Sequence, residues 1–442
     1  MDFLSKISSK WSSLPGMDIP LRSAIDEIEE ERLWRTRGVP ILSWPVRTYD
    51  LIHTFFRDAS WPLLITLLLG LLLAMWLIDA LPSLFRLRWI QSPMLCELPE
   101  GVKRSVIRGS EGKLELLVSE SSASKKSKPA ILFIHGGFGS AGIWLPWMRY
   151  LHSKSYEGNT YALSLRGHGG SFAPNFLEMT YLTSMSTLSL DIAVALKEIA
   201  TLESAAGNTT GVIIAAHSAG GGLIQHALAS GKLPLKSQLS KIGGLKGLAL
   251  IAVIPPFGAL GIYWNWFLAD PFIWVRTYLH FGHPRSPLSS TRAVRRAFFS
   301  SVLPASDVEK FETAMPKYES LIWPSQMCFG RFVDVDEILA RMRGKNVLIM
   351  AADGDRLMGV SGQRKMAREY ANVMRAEDME SAFTNVHDVR IEAEGTVAGE
   401  KHESGMVGSL QLNLVRGSGH HLMNDVKSKE AAEVFRKWAE GI

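Results

Sequence analysis

A serine stands where a chain that reads as a buried strand turns into a helix. The stretch is Gly211-Val212-Ile213-Ile214-Ala215-Ala216-His217-Ser218-Ala219-Gly220-Gly221-Gly222. Val212 to Ala215 are apolar and largely β-branched, the pattern of a strand covered on both faces. Leu223 to Ala229 follows with helical spacing. A serine at so sharp a corner sits at strained backbone angles, and the residues two before and two after it approach each other closely, so both must be small. Here they are Ala216 and Gly220. Free N–H groups at the start of the following helix would point to where an oxyanion forms. Alone, this corner also fits an ordinary tight turn of any α/β protein, so the other reactive residues have to decide.

Four motifs that carry them fall at the ends of strand-like runs. His135-Gly136-Gly137-Phe138-Gly139-Ser140 follows the apolar Ile131 to Ile134, and its glycines let a backbone N–H approach a developing negative charge. Ala351-Ala352-Asp353-Gly354-Asp355-Arg356-Leu357 places two acids on a strand-end loop. Gly417-Ser418-Gly419-His420-His421-Leu422 places two histidines on another, and Leu165-Arg166-Gly167-His168-Gly169-Gly170-Ser171 forms a glycine-rich turn.

The chain order Ser218, Asp355, His420 is the serine–acid–histidine order of the α/β-hydrolase superfamily, which residues 100–442 resemble. The resemblance implies that Ser218 attacks a carbonyl carbon. It implies that His420 moves the proton and that Asp355 holds the imidazole in the right tautomer. The backbone N–H groups of Ala219 and of Gly137 or Phe138 would form the oxyanion hole. Asp353 and His421 are the rivals for acid and base, and the family's spacing favours Asp355 and His420. His217 and His168 are structural on this reading. An aspartate in place of Ser218 would have pointed to an epoxide hydrolase or a dehalogenase. No cofactor and no metal are implied. A looser similarity, in layout only, is to anchored fungal hydrolases of natural-product pathways, which keeps cyclisation, acyl transfer or C–C cleavage as an alternative to hydrolysis. A catalytically silent scaffold at a membrane is the alternative from outside enzymology.

The elements that must position these residues alternate as strand and helix, which predicts an α/β fold with a mostly parallel sheet covered on both faces. Strands are expected at Lys113–Val118, Ala130–His135, Tyr161–Leu165, Val212–His217, Leu248–Val253, Asn346–Ala351 and from Ser409. Helices are expected at Leu188–Leu202, Leu223–Ala229, Ser361–Arg375 and Glu430–Glu440. The organisation reads as a polar, interfacial segment over 1–58, a transmembrane helix over 59–78 and a linker with the first strands over 79–128. The first half of the core covers 129–256, a helical, aromatic-rich cap insertion 257–343, and the second half 344–442. In the cap, Tyr263, Trp264, Trp266, Phe267 and Trp274 are candidates to line an acyl pocket, with simple packing as the other reading. Residues 376–408 read as a surface excursion.

Composition narrows the partners. With 47% apolar and 21% charged residues over 442, the chain can build a large core. No Lys/Arg stripe interleaved with aromatics is present, which excludes a nucleic-acid partner. Cys96 and Cys328 stand alone, without the spacing of a zinc site or a disulfide framework. Ala59 to Ile78 holds no charged residue and has Trp61 and Trp76 near its ends, as a single membrane-spanning helix of about 20 residues requires. It begins too deep in the chain for a cleaved signal peptide. Residues 21–34 read as an amphipathic helix and 44–58 as an interfacial segment. The expected substrate is small, apolar or lipid-like, and the expected location is a membrane with a single-pass anchor, which in a eukaryotic cell would be the endoplasmic reticulum or another endomembrane. Reduced thiols favour a cytosolic catalytic domain. Asn208-Thr209-Thr210 is a glycosylation sequon in a loop expected to be exposed, on which no glycan is predicted.

Overall fold

Long apolar runs become the centre of an eight-stranded sheet. The computed structural model describes residues 61–75, 94–123, 126–342, 346–381 and 409–442. The strands are β1 (Val102–Arg108), β2 (Lys113–Ser119), β3 (Ala130–Ile134), β4 (Thr160–Leu163), β5 (Val212–His217), β6 (Leu245–Ile251), β7 (Asn346–Ala352) and β8 (Leu410–Val415). They lie in the order β1-β2-β4-β3-β5-β6-β7-β8. β1 pairs with β2, and β2 with β4, antiparallel, and every other pairing is parallel. β3 and β5 are buried at every position, because helices cover both faces of the sheet there. β1 was not expected. Its Lys103, Arg104 and Arg108 hide the strand pattern, and they are the charged residues that blunt a sheet edge.

The core helices are α2 (Leu145–Ser153), α3 (Met185–Ala205), α4 (Ser218–Ala229), α11 (Val360–Ser381) and α12 (Ser428–Glu440). In α12, Ala431, Ala432, Phe435, Trp438 and Ala439 are buried on one face, at the spacing of a helix that covers a sheet. Phe435 packs on Phe133 of β3 and on Trp147 of α2, with ring centroids 5.6 and 5.4 Å apart. Between β6 and β7 lies the cap, made of α5 (Leu260–Ala269), α6 (Ile273–Leu279), α7 (Thr291–Phe298), α8 (Ala305–Ala314), α9 (Ile322–Gln326) and α10 (Val335–Leu339).

Several boundaries differ from the sequence reading. α3 and α12 start before the expected Leu188 and Glu430. α3 gains a first turn from its N-cap, Ser184, whose hydroxyl accepts from Thr187 N–H. α11 continues past Arg375 to Ser381, so the expected excursion loses its first residues to a helix. Asn208 is not exposed as expected. It is buried, and its Nδ2 donates to Glu203.

The chain divides into two units, Met1–Ile78 and Asp79–Ile442. In the first, α1 (Trp61–Met75) is a 15-residue, leucine-rich helix without a charge. At 1.5 Å per residue it is about 22 Å long, against roughly 30 Å of bilayer hydrocarbon. Among the described residues no helix is long and apolar enough to cross a membrane. The rest of the expected span, the segments 21–34 and 44–58, and residues 382–408 lie outside the described residues.

Candidate active site

The corner between β5 and α4 carries Ser218 at φ +54°, a left-handed conformation that costs a residue with a side chain about 1–2 kcal/mol. Glycines make room for it. A Cβ on Gly220 would lie 2.1 Å from the carbonyl oxygen of His135, and one on Gly136 would lie 2.6 Å from the Ser218 Cβ. The sheet thus presses the β3 and β5 loops together so closely that only backbone fits between them.

Two other strand-end loops meet the serine. His420 Nε2 lies 2.9 Å from Ser218 Oγ, and His420 Nδ1 lies 2.8 Å from Asp355 Oδ2. A carboxylate only accepts, so Nδ1 carries the proton and Nε2 is left to accept from the serine hydroxyl. Asp355 is held in turn, its Oδ1 accepting from Leu357 N–H at 2.9 Å and Met358 N–H at 3.0 Å. Asp355 and His420 are both buried.

The rivals sit elsewhere. Asp353 is exposed and accepts from Gly417 N–H at 2.7 Å, closing the turn between the two loops. His421 points into an aromatic cage of Phe298, Phe299 and Phe311, with centroids 5.0, 5.5 and 4.7 Å away. Burial there, with His420 nearby, pushes its pKa well below the usual value and keeps it neutral. His217 Nε2 meets the carbonyl oxygen of His420 at 3.0 Å, so this ring braces the backbone of the histidine that faces Ser218.

Gly137 and Phe138 were both candidates for the second oxyanion donor, and the structure separates them. Phe138 N–H donates to Glu319 Oε2 at 2.8 Å and is therefore occupied. Gly137 N–H and Ala219 N–H have no hydrogen-bond partner among the described residues. The pair of donors available to a developing negative charge is Gly137 and Ala219, and Phe138 drops out.

Over the serine lies a cavity of about 100 Å³ with mainly apolar walls. Ala259, Ile262, Tyr263 and Trp266 line it, at the i, i+3, i+4, i+7 spacing of one helix face. Trp264 and Phe267 do not line it. Each is one residue further on, about 100° round the helix. They pack on each other at 5.6 Å, and Trp264 is 60% exposed. Trp274 is likewise largely exposed.

Glu319 was not singled out by the sequence reading. It lines the same cavity, and its Oε2 also meets His168 Nε2 at 2.9 Å. No spacing or motif marks it, since it lies in an irregular cap segment between α8 and α9. His168 belongs to the turn after β4, which is fastened from three sides. Arg166 forms a buried, bidentate pair with Asp191. Glu115 of β2 accepts from Gly170 N–H and Ser164 Oγ, and Arg104 of β1 pairs with Glu115 at 2.6 Å. Cys96 and Cys328 are free thiols, partly buried.

The profile of the Alpha/beta hydrolase family matches residues 131–426. No curated protein matches the chain. Among solved structures, the chain is similar to an esterase from Exiguobacterium antarcticum (14% identity, TM-score 0.50, 76% of this chain and 100% of that one). It is also similar to a soluble variant of monoglyceride lipase from Saccharomyces cerevisiae (14% identity, TM-score 0.50, 78% of this chain and 96% of that one). At such identity these likenesses concern the fold.

Proposed function

The chain belongs to the alpha/beta hydrolase family, and we propose that it is a serine hydrolase cleaving a carboxylic ester, thioester or lactone of an apolar substrate through an acyl-enzyme. The observation that carries this reading is the unbroken relay Ser218–His420–Asp355 beneath an apolar cavity, with two unoccupied N–H groups beside the serine. Ser218 Oγ attacks the carbonyl carbon while His420 Nε2 takes its proton. The resulting oxyanion accepts from Gly137 and Ala219 N–H. The imidazolium, held by Asp355, returns the proton to the leaving oxygen or sulfur. Water then repeats the sequence on the acyl-enzyme. A fluorophosphonate probe should label the protein, and Ser218→Ala should abolish both labelling and turnover. Undiminished labelling of that variant would remove Ser218 as the nucleophile. Lipid and metabolite profiling of wild type beside Ser218→Ala would identify the substrate.

The same proposal places the enzyme on an endomembrane through one helix over 59–78, with its catalytic domain on the cytosolic side. The uncharged, leucine-rich α1 supports the anchor, and the free Cys96 and Cys328 support the side. Alkaline carbonate should leave the full chain in the membrane fraction, and protease added to sealed vesicles should digest the catalytic domain. Release by carbonate would refute the anchor, and protection from protease would refute the side.

A further inference from the structure

Glu319 is the charged residue among those lining the cavity. It is buried, and it belongs to the cap. Its hydrogen bonds nevertheless reach into the core. Oε2 accepts from Phe138 N–H at 2.8 Å and meets His168 Nε2 at 2.9 Å, while Oε1 accepts from Ser320 N–H at 2.9 Å. His168 Nδ1 faces the carbonyl oxygen of Arg166 at 2.8 Å, so that nitrogen carries a proton and the contact with Glu319 shares one more. The carboxylate is thus braced on the turn that Arg166, Asp191 and Glu115 fasten to the sheet.

What Glu319 grips is a strained loop. Phe138 stands at φ +60°, which a residue with a side chain adopts only when its surroundings enforce it. The preceding residue is Gly137, whose N–H, unpartnered among the described residues, the serine-hydrolase reading assigns to the oxyanion hole. A Cβ on Gly137 would lie 3.7 Å from Glu319 Oε2, so the carboxylate sits beside that site. A lone carboxylate there would oppose the oxyanion, and a buried charge kept only for packing would be worse than an apolar side chain. Paired with the His168 imidazolium, the dyad is neutral.

We propose that Glu319 is a positioning residue through which the cap sets the oxyanion hole. Its carboxylate, braced by His168, holds Phe138 N–H and thereby aims Gly137 N–H at the tetrahedral intermediate. This rests on the serine-hydrolase reading above. Withdrawal of the cap segment would remove Glu319 from the loop and let the hole relax, so acylation is tied to a closed cap.

The test uses the full chain in detergent with p-nitrophenyl butyrate as substrate and a trifluoromethyl ketone as the transition-state probe. Thermal unfolding serves as the fold check. Glu319→Ala should lower kcat about 10- to 100-fold with KM within about threefold, the signature of a contact that matters only in the transition state. The affinity for the ketone, whose hemiketal oxygen occupies the hole, should fall by the same factor. Glu319→Gln keeps one acceptor for Phe138 N–H and should lose less, and it carries the decision if the alanine variant does not fold. Unchanged kcat, or a loss confined to KM with ketone affinity intact, would overturn the proposal. Ser218→Ala is measured alongside. If it retains turnover, the hydrolase reading fails. If it is dead while the Glu319 variants turn over normally, only the positioning role fails.

Discussion

The two walls of the cavity are built by different rules. On the core side, Gly137, Ser218, Asp355 and His420 each lie within five residues of a strand end, so the register of β3, β5, β7 and β8 carries them to one point. Glycine is demanded where the backbones of two of those loops approach closely, as at Gly136, Gly220 and Gly354. On the cap side, Trp266 and Tyr263 face the serine because of the phase of α5, and Glu319 because of how an irregular segment packs on the turn after β4. Local backbone geometry places the groups proposed to react. Long-range packing places the groups that shape and steady the space around them.

The contrast is tested most severely on the core wall. His420→Ala and Asp355→Asn should each reduce kcat about 10³-fold or more, as for members of a catalytic unit. Asp353→Asn, two residues away on the same loop, should stay within about threefold of wild type because it only closes a turn. Steady-state kinetics on a p-nitrophenyl ester decides, and a larger loss in the Asp353 variant would show that the wrong acid has been assigned.

Next comes the demand for glycine. A methyl group at Gly220 would meet the His135 carbonyl at 2.1 Å, and relief requires backbone movement. Gly220→Ala should cost about 3 kcal/mol of stability by denaturant unfolding, the upper end of what overpacking costs. A neutral result would mean that the corner is more yielding than its contacts indicate.

The cap wall should respond in KM. Trp266→Ala removes an apolar wall and should raise KM for an apolar ester about tenfold, whereas Trp264→Ala, on the outer face of α5, should leave kcat/KM within about twofold. Equal effects of the two changes would erase the distinction between the helix faces.

The smallest effect concerns pH. Burial works to lower the pKa of His168, but the Glu319 carboxylate outweighs it and the pKa is raised from the ordinary imidazole value. A raised folded pKa means that the pair stabilises fully below about pH 6.5 and that this contribution fades as pH rises through the raised value. The difference in unfolding free energy between wild type and Glu319→Gln should therefore shrink from pH 6 towards pH 9. A difference constant with pH would show that no proton is shared across this contact.

The sequence by itself determined the alternation of strand and helix, the strained corner at Ser218, and the order of acid and histidine after it. Each is written in short-range terms, as side-chain size, β-branching or a glycine at a turn. It separated some neighbours only through the family's spacing, Asp355 from Asp353 and His420 from His421, and left Gly137 and Phe138 undivided, because residues one or two apart share a loop and differ only in direction. Tertiary structure divided them by burial and by partner. Asp355 meets His420, His421 meets three phenylalanines, and Phe138 N–H meets Glu319. The charge-rich edge strand β1, the buried Asn208 and the cavity face of α5 were likewise settled by contacts with distant segments. Glu319 is the extreme case. It is separated from His168 by 151 positions and from Phe138 by 181, and no local pattern records a hydrogen bond that exists only once the cap has folded back over the sheet.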